Sequence, residues 1–388
     1  MLAHSPPFPL VIDYFDPDLD LFADEGITLA LEHRDRLRRV RIGMPVPIVQ
    51  KLITAIDEEC PVLEYLIMVP SAEEKITALI LPETFQAPHL RHLALSGFAL
   101  PIGCRLLATA VGLVTLALSA GYPSAYFHPD TLLQWVSFMP HLETLMILFL
   151  FPVPNRDVER QLTQAPIITQ VTLPNLRVFE FQGASSYMES VVRRIATPRL
   201  EKLTIQFFNQ LTFFIPHLQQ FVNTAESLRF DSARFLFSRN GVDVEVYPPN
   251  EDEIYSLNIF VCCWHLDWQV SSVAQIFSSL SQIFSTVEHL TFEHKVHGLS
   301  SEEHNEVDRT KWRKLLTSFS NVKTLHIGDG LVQELSRSLR LYDEEHPLDL
   351  LPELQELTYD GKGDTDDVFT SFIDAYRNAG RLVTLTRY

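Results

Sequence analysis

Pro88-His89-Leu90-Arg91-His92-Leu93-Ala94-Leu95 is one copy of a phrase, Pro-x-Leu-x-x-Leu-x-apolar, that recurs in close variants about thirteen times between Leu37 and the C-terminus. Leu93 and Leu95 are two residues apart, so both point to one face of a strand, and Leu90 closes the turn that enters it. Equally clear copies run from Leu63 through Leu66 to Met68, from Leu113 through Leu116 to Leu118, and from Leu142 through Leu145 to Ile147. Others start at Leu176, Leu200, Val287, Val322, Leu354 and Leu382, with weaker copies at Leu37, Ala225 and Ile254. Starting positions lie 23 to 35 residues apart, enough for a short strand, a return helix and two loops.

The intervals carry the matching helical signal. Val49, Leu52, Ile53 and Ile56 recur at spacing three and four, as do Met188, Val191, Val192 and Ile195. The longest stripe is Val273, Ile276, Phe277, Leu280, Ile283 and Phe284. Trp312, Leu315, Leu316 and Phe319 make another, and Phe369, Phe372, Ile373 and Tyr376 the last, with Gly380 placed as its C-cap. In six copies a proline stands two residues before the first apolar position (Pro61, Pro88, Pro140, Pro174, Pro198, Pro352), where it stops the preceding helix. Strands joined by same-sense crossovers are parallel, so the sequence predicts an α/β solenoid with a curved parallel sheet, on the order of 60 Å along its inner edge, and return helices outside.

Composition sets further bounds. With 388 residues, 46% of them hydrophobic, and no linker of low complexity, the chain predicts one solenoid over 37–388, preceded by an N-terminal cap or arm over 1–36 that is rich in Pro and Asp. A net charge of −18 argues against nucleic acid or an anionic membrane as partner. Arg34, Arg36, Arg38, Arg39 and Arg41 form a local basic cluster, read here as a solvated edge balancing the acidic arm rather than as a docking patch for an acidic partner. The uncharged stretch from Leu106 to Gly121 is too short for a membrane span and contains an in-phase repeat. Four cysteines, two of them the adjacent Cys262 and Cys263, make no disulfide framework, and there is no glycosylation acceptor or basic secretion leader, so the expected location is cytoplasmic or nuclear.

Catalytic and cofactor signals are weak throughout. His294, His297 and His304, with Glu293, Glu302 and Glu303, contain metal-ligand types but match no metal motif and sit in a polar stretch, so no metal is expected. Gly361-Lys362-Gly363-Asp364 is only a fragment of a phosphate loop, and Asp364 or Asp366 is better placed to cap the last helix. No Gly-x-Ser-x-Gly occurs, so neither catalysis nor a cofactor is expected.

Surface for a protein partner is what remains. If the strand leucines point inward, the alternate residues face the concave side: Tyr65 and Ile67, His92 and Ala94, Thr144 and Met146, Val178 and Glu180, Lys202 and Thr204, Arg229 and Asp231, Asn258 and Phe260, His289 and Thr291. Ile67, Met146, Leu148 and Phe260 are then expected as exposed apolar residues of an interaction patch. Trp264, His265 and Trp268 follow the Ile254 copy and either anchor a partner or pack beneath the next helix.

Thr197-Pro198-Arg199-Leu200-Glu201-Lys202-Leu203, Leu173-Pro174-Asn175-Leu176 and Ala87-Pro88-His89-Leu90-Arg91-His92-Leu93 resemble phrases of the large fungal F-box/leucine-rich-repeat family, over nearly the whole chain. The resemblance implies a leucine-rich-repeat solenoid serving as the substrate-recognition subunit of a Skp–cullin–F-box ubiquitin ligase. Two departures stand out. Ser71, Phe98, Gly121 and Phe208 stand where ordinary repeats place Asn or Cys, and the stretch before Leu37 is too short and too proline-rich for the three helices of an F-box. A Skp-type adaptor is therefore expected as a partner only if an F-box lies upstream. The alternative is an adaptor-independent scaffold or decoy.

Overall fold

The computed structural model describes residues 8–15, 23–56, 58–70, 78–101, 103–151, 170–210, 212–225, 227–249, 255–295, 307–340, 349–361 and 368–388. The chain divides into two compact units, Met1–Leu200 and Glu201–Tyr388. In each unit the repeated phrase builds a leucine-rich-repeat solenoid, with strands side by side and helices over one face.

In the first unit the strands are β1 (Leu10–Phe15), β2 (Leu37–Gly43), β3 (Tyr65–Met68), β4 (Leu79–Ile80), β5 (His92–Ser96), β6 (Phe98–Ala99), β7 (Thr115–Ala120), β8 (Thr144–Phe149), β9 (Val171–Thr172), β10 (Val178–Gly183) and β11 (Ile195–Ala196). The ladder β1-β2-β3-β5-β7-β8-β10 is parallel throughout. Two short parallel pairs, β4 with β6 and β9 with β11, stand outside it. Its helices include α1 (Ala23–Leu31), α2 (Val46–Ala55), α3 (Arg105–Thr109), α4 (Pro129–Val136) and α5 (Ser185–Val192).

Repeat positions stack in register. Leu66 faces Leu93, Leu93 faces Leu116, Leu116 faces Leu145, and Leu145 faces Phe179, all essentially without solvent contact. Fully burying one such side chain is worth about 1.5–3 kcal/mol, so the column is a continuous source of stability along the ladder. Asn175 Nδ2 donates to the carbonyl of Pro140 at 3.0 Å, tying one strand-entry turn to the previous one. Asn321 does the same with Ser285 at 2.6 Å. These asparagines precede the first apolar position of their phrase, and so link turns from the opposite end of the strand to the one used in ordinary repeats.

Residues 1–36 supply a strand and a helix of their own, with β1 in parallel register against β2. Asp16, Asp18 and Asp20 lie outside the described residues. The uncharged stretch from Leu106 to Gly121 is divided between α3 and β7, and no helix among the described residues is long and apolar enough to cross a membrane.

The second unit contains β12 (Lys202–Phe207), β13 (Ser232–Ser238), β14 (Gly241–Tyr247), β15 (Leu257–Cys262), β16 (His289–His294), β17 (Thr324–Ile327), β18 (Glu356–Tyr359) and β19 (Thr384–Arg387). Their α-helices among the described residues are α6 (Pro216–Thr224), α7 (Leu266–Ser279), α8 (Ser281–Phe284), α9 (Arg309–Leu316), α10 (Val332–Leu339) and α11 (Thr370–Asn378). Gly380 ends α11 at φ +80, with Arg381 N–H bonded to the carbonyl of Tyr376, as its predicted C-cap role requires.

An all-parallel ladder is corrected here. The order is β12-β15-β14-β13-β16-β17-β18-β19, with β14 antiparallel to both neighbours. The two-residue turn Arg239-Asn240 carries β13 into β14, with Ser238 paired to Gly241, between two alternating apolar runs. The copy starting at Ala225 is not a strand. Ala225, Leu228 and Phe230 are buried in the connection that leads to β13, which imitates the repeat spacing. Ile254 lies outside the described residues, but Leu257 and Ile259 of that copy are buried in β15. At the last copy Leu382 is 81% exposed, so the entry position buried at Leu354 is open at Leu382.

Candidate functional site

Strand alternation places one face of each ladder against helices and leaves the other without helices among the described residues. In the first unit the helix-free face carries the row Val11, Arg39, Tyr65, His92, Thr115, Thr144 and Val178. Beside it run Ile67, Ala94, Ala117, Met146 and Glu180, and then Ser96, Ser119, Leu148 and Gln182. Tyr65, Ile67, Met146 and Leu148 therefore sit on the predicted face. They are half-buried rather than exposed, because neighbouring strands ~4.8 Å away shade each side chain.

The arginine cluster is internally matched. Arg39 and Arg41 lie 3.8 and 3.5 Å from the Asp13 carboxylate, Arg38 bonds Glu64 at 3.0 Å, Arg34 pairs with Glu58, and Arg36 Nε donates to the carbonyl of Phe8. Arg39 also lies over Tyr65, 4.4 Å from the ring centroid. Most of these side chains are well solvated, so each pair contributes about 0–1 kcal/mol and mainly cancels charge.

On the second unit's helix-free face, Arg234 donates twice to Glu293, at 2.6 and 3.2 Å, and lies 3.6 Å from Glu245, which also accepts from Tyr247 Oη at 2.6 Å. Asn258 Nδ2 donates to Asp243 Oδ1 at 2.6 Å. Burial pushes the Asp243 carboxyl above its ordinary range despite that bond. Phe260 is again half-buried, its ring lying over Gly241, where a Cβ would meet Phe260 Cζ at 2.8 Å. Arg229 and Asp231 correct the predicted row, since both precede β13.

The tryptophans that follow β15 are open to solvent. Trp264 is 71% and Trp268 50% exposed, whereas Trp135 and Trp312 are buried. They flank the start of α7, and His265 between them is exposed, its ring edge-on to Trp268 at 5.1 Å. Neither packs beneath the helix. Sequence reading missed the residue that organises this corner, Gln269. Its side chain is buried, and its Nε2 donates to the carbonyls of Ser238 at 2.7 Å and Cys263 at 2.9 Å. A glutamine interrupting the apolar stripe of α7 was the available signal, although its partners are backbone atoms that leave no mark in sequence.

His297 and His304 lie outside the described residues, as do Asp364 and Asp366. Among the described residues one group, Asp231, Glu288 and His289, brings three potential metal-ligand atoms within 4.8 Å of one another. It is already engaged: Lys323 Nζ lies 2.6 Å from Glu288, and His289 Nδ1 is 2.7 Å from Thr324 Oγ1. The arrangement is that of a surface ion-pair network. All four cysteines are free thiols, and burial raises Cys60 to about 11 and Cys263 to about 12, which suppresses thiolate chemistry.

No protein-family model matches the chain, and no curated protein matches it. Among solved structures, the TLR13–ssRNA13 complex aligns with a TM-score of 0.33 at 13% identity, covering 90% of this chain and 45% of that one. The leucine-rich-repeat-containing protein LegL7 from Legionella pneumophila aligns with a TM-score of 0.31 at 12% identity, covering 94% of this chain and 97% of that one. The chain thus spans less than half of the first protein's length. Likenesses this distant assign no function to it.

Proposed function

We propose that this chain is a non-catalytic protein-binding module whose repeats hold a protein partner. The observation that carries the reading is the pair Trp264 and Trp268, projecting into solvent from a rigid strand-to-helix corner. Large exposed aromatics on a fixed scaffold are typical interface anchors, because they bury much area on binding and lose little conformational freedom. The half-buried apolar residues Ile67, Met146, Leu148 and Phe260 offer additional contact area on the sheet faces.

Within this class the finer reading is the substrate-recognition part of a Skp–cullin–F-box ubiquitin ligase, supported by the likeness of its phrases to fungal F-box/leucine-rich-repeat proteins. The runner-up is an adaptor-independent scaffold or decoy. Four unpaired thiols suit a cytoplasmic or nuclear setting for either.

The test is purification of the endogenous full-length protein, comparing partners of wild type with those of a Trp264→Ala/Trp268→Ala variant. A partner present with wild type and absent with the variant supports the module, and a Skp-type adaptor plus cullin in both samples supports the ligase reading. Identical partner sets in the two samples count against the tryptophan site.

A further inference from the structure

Gln269 has a consequence for the kind of partner this corner takes. Ser238 and Cys263, whose carbonyls share its one amide nitrogen, directly precede Arg239 and Trp264. Trp268 directly precedes Gln269 itself. One buried side chain therefore fixes the backbone from which three exposed residues, Arg239, Trp264 and Trp268, project. Tryptophan and arginine are the residue types most enriched at binding hot spots, and here they rise from a strand turn and a helix start rather than from a long loop.

The electrostatics of the patch choose the partner. Arg239 makes no ion pair among the described residues. Asp267 is neutralised by Lys311, at 2.6 Å. His265, the residue preceding α7, makes no side-chain bond to the helix start, so the first N–H groups of a 14-residue helix remain uncapped beside the tryptophans. Among the described residues Arg239 thus brings an unpaired positive charge to the patch, in a chain of net charge −18. Charges farther away than a Debye length, about 8 Å at physiological salt, are largely screened, so for a group seated on the patch the nearby guanidinium outweighs the distant acids.

We propose that Arg239, Trp264 and Trp268 form a docking site for a short partner segment carrying an Asp or Glu beside a bulky apolar residue. The carboxylate pairs with Arg239 and the apolar side chain lies on the indoles. This rests on the protein-binding reading above and specifies its partner chemistry.

Selection from a random 12-residue peptide display library against the full chain tests it. Wild type is expected to enrich sequences with Asp or Glu within about two positions of Phe, Leu or Trp. Trp264→Ala/Trp268→Ala should lose that enrichment, and Arg239→Glu, a change on an exposed turn, should select Lys or Arg in place of the acid. For a synthetic peptide of the enriched sequence, the double tryptophan variant should weaken binding about tenfold or more. Enriched peptides without acidic preference, or the same peptides with Arg239→Glu, overturn the inference and leave the module reading standing. No enrichment on any variant overturns both.

Discussion

His92 Nδ1 lies 3.1 Å from Thr115 Oγ1, and the two residues face each other in register across β5 and β7. The same cross-strand pair recurs at His289 and Thr324, 2.7 Å, and at His326 and Thr358, 2.9 Å. A hydrogen bond on a half-solvated face contributes modestly, because water competes for both partners. Thr115→Val is therefore expected to cost about 0.5–1 kcal/mol, well below the 2–5 kcal/mol expected for Leu116→Ala in the adjacent buried column. Urea unfolding of the two variants checks the ranking, and equal losses would contradict it.

Gly241 is required by a close approach. A Cβ there would lie 2.3 Å from the carbonyl oxygen of Val261, while one at Gly26 in α1 meets nothing within 4 Å. Gly241→Ala should destabilise the second unit by about 2 kcal/mol or more, and Gly26→Ala should stabilise its helix by up to about 1 kcal/mol. Thermal melts reading opposite signs for the two variants are the expected result.

Replacing Gln269 with Leu removes both donors from the Ser238 and Cys263 carbonyls. A loss of about 1–3 kcal/mol in urea titrations is expected, together with altered emission from Trp264 and Trp268 as their backbone loosens. An unchanged transition midpoint would remove Gln269 from its positioning role.

Asp243 sets a pH dependence. Its carboxyl titrates above the ordinary range chiefly because of burial, so the folded state holds the proton more tightly than the unfolded chain. Its contribution is greatest at low pH and is lost as pH rises through the raised value. Asp243→Asn keeps an oxygen for Asn258 and cannot ionise, so it should be more stable than wild type near neutrality, with the gap closing below the unperturbed aspartate value of about 3.9. Chemical denaturation of both proteins across that range reads the effect.

Three of the four thiols are shielded. Cys60, Cys104 and Cys263 are buried with raised thiol values, whereas Cys262 is half-exposed. Native protein treated with iodoacetamide should be alkylated at Cys262 alone within the time that denatured protein reacts at all four. Modification of Cys60 at the native rate would contradict the packing.

Spacing made much of the fold legible. Leu63, Leu66 and Met68 occupy the entry turn and inner face of β3, and the apolar stripes at Val49–Ile56 and Trp312–Phe319 fall on or beside helices, because solvent exclusion acts through these periodicities. The hairpin escaped because Ala225, Leu228 and Phe230 offered a competing match. Buried loops obey the same demand for apolar side chains as strands, so spacing alone did not separate them. At the candidate site the tryptophans were visible but their orientation was not. Arg239 drew no notice as a turn residue, and only the three-dimensional convergence on Gln269 joins it to them.

The reversed order β15-β14-β13 also bears on how the second unit comes into being. Elsewhere in the ladders each new repeat can zip onto the one just made, but Leu257 of β15 must reach back past the β13–β14 hairpin to pair with Leu203, and His289 must reach past β15 to Ser232. Closing these longer loops costs chain entropy before any contact repays it, which marks β12 to β16 as the slow step of assembly. It also restricts descent. A repeat can be duplicated or deleted in the simple stretches of a solenoid, whereas loss of β14 alone would break the pairing of β13 and β15 on either side of it, so the hairpin is inherited as a pair.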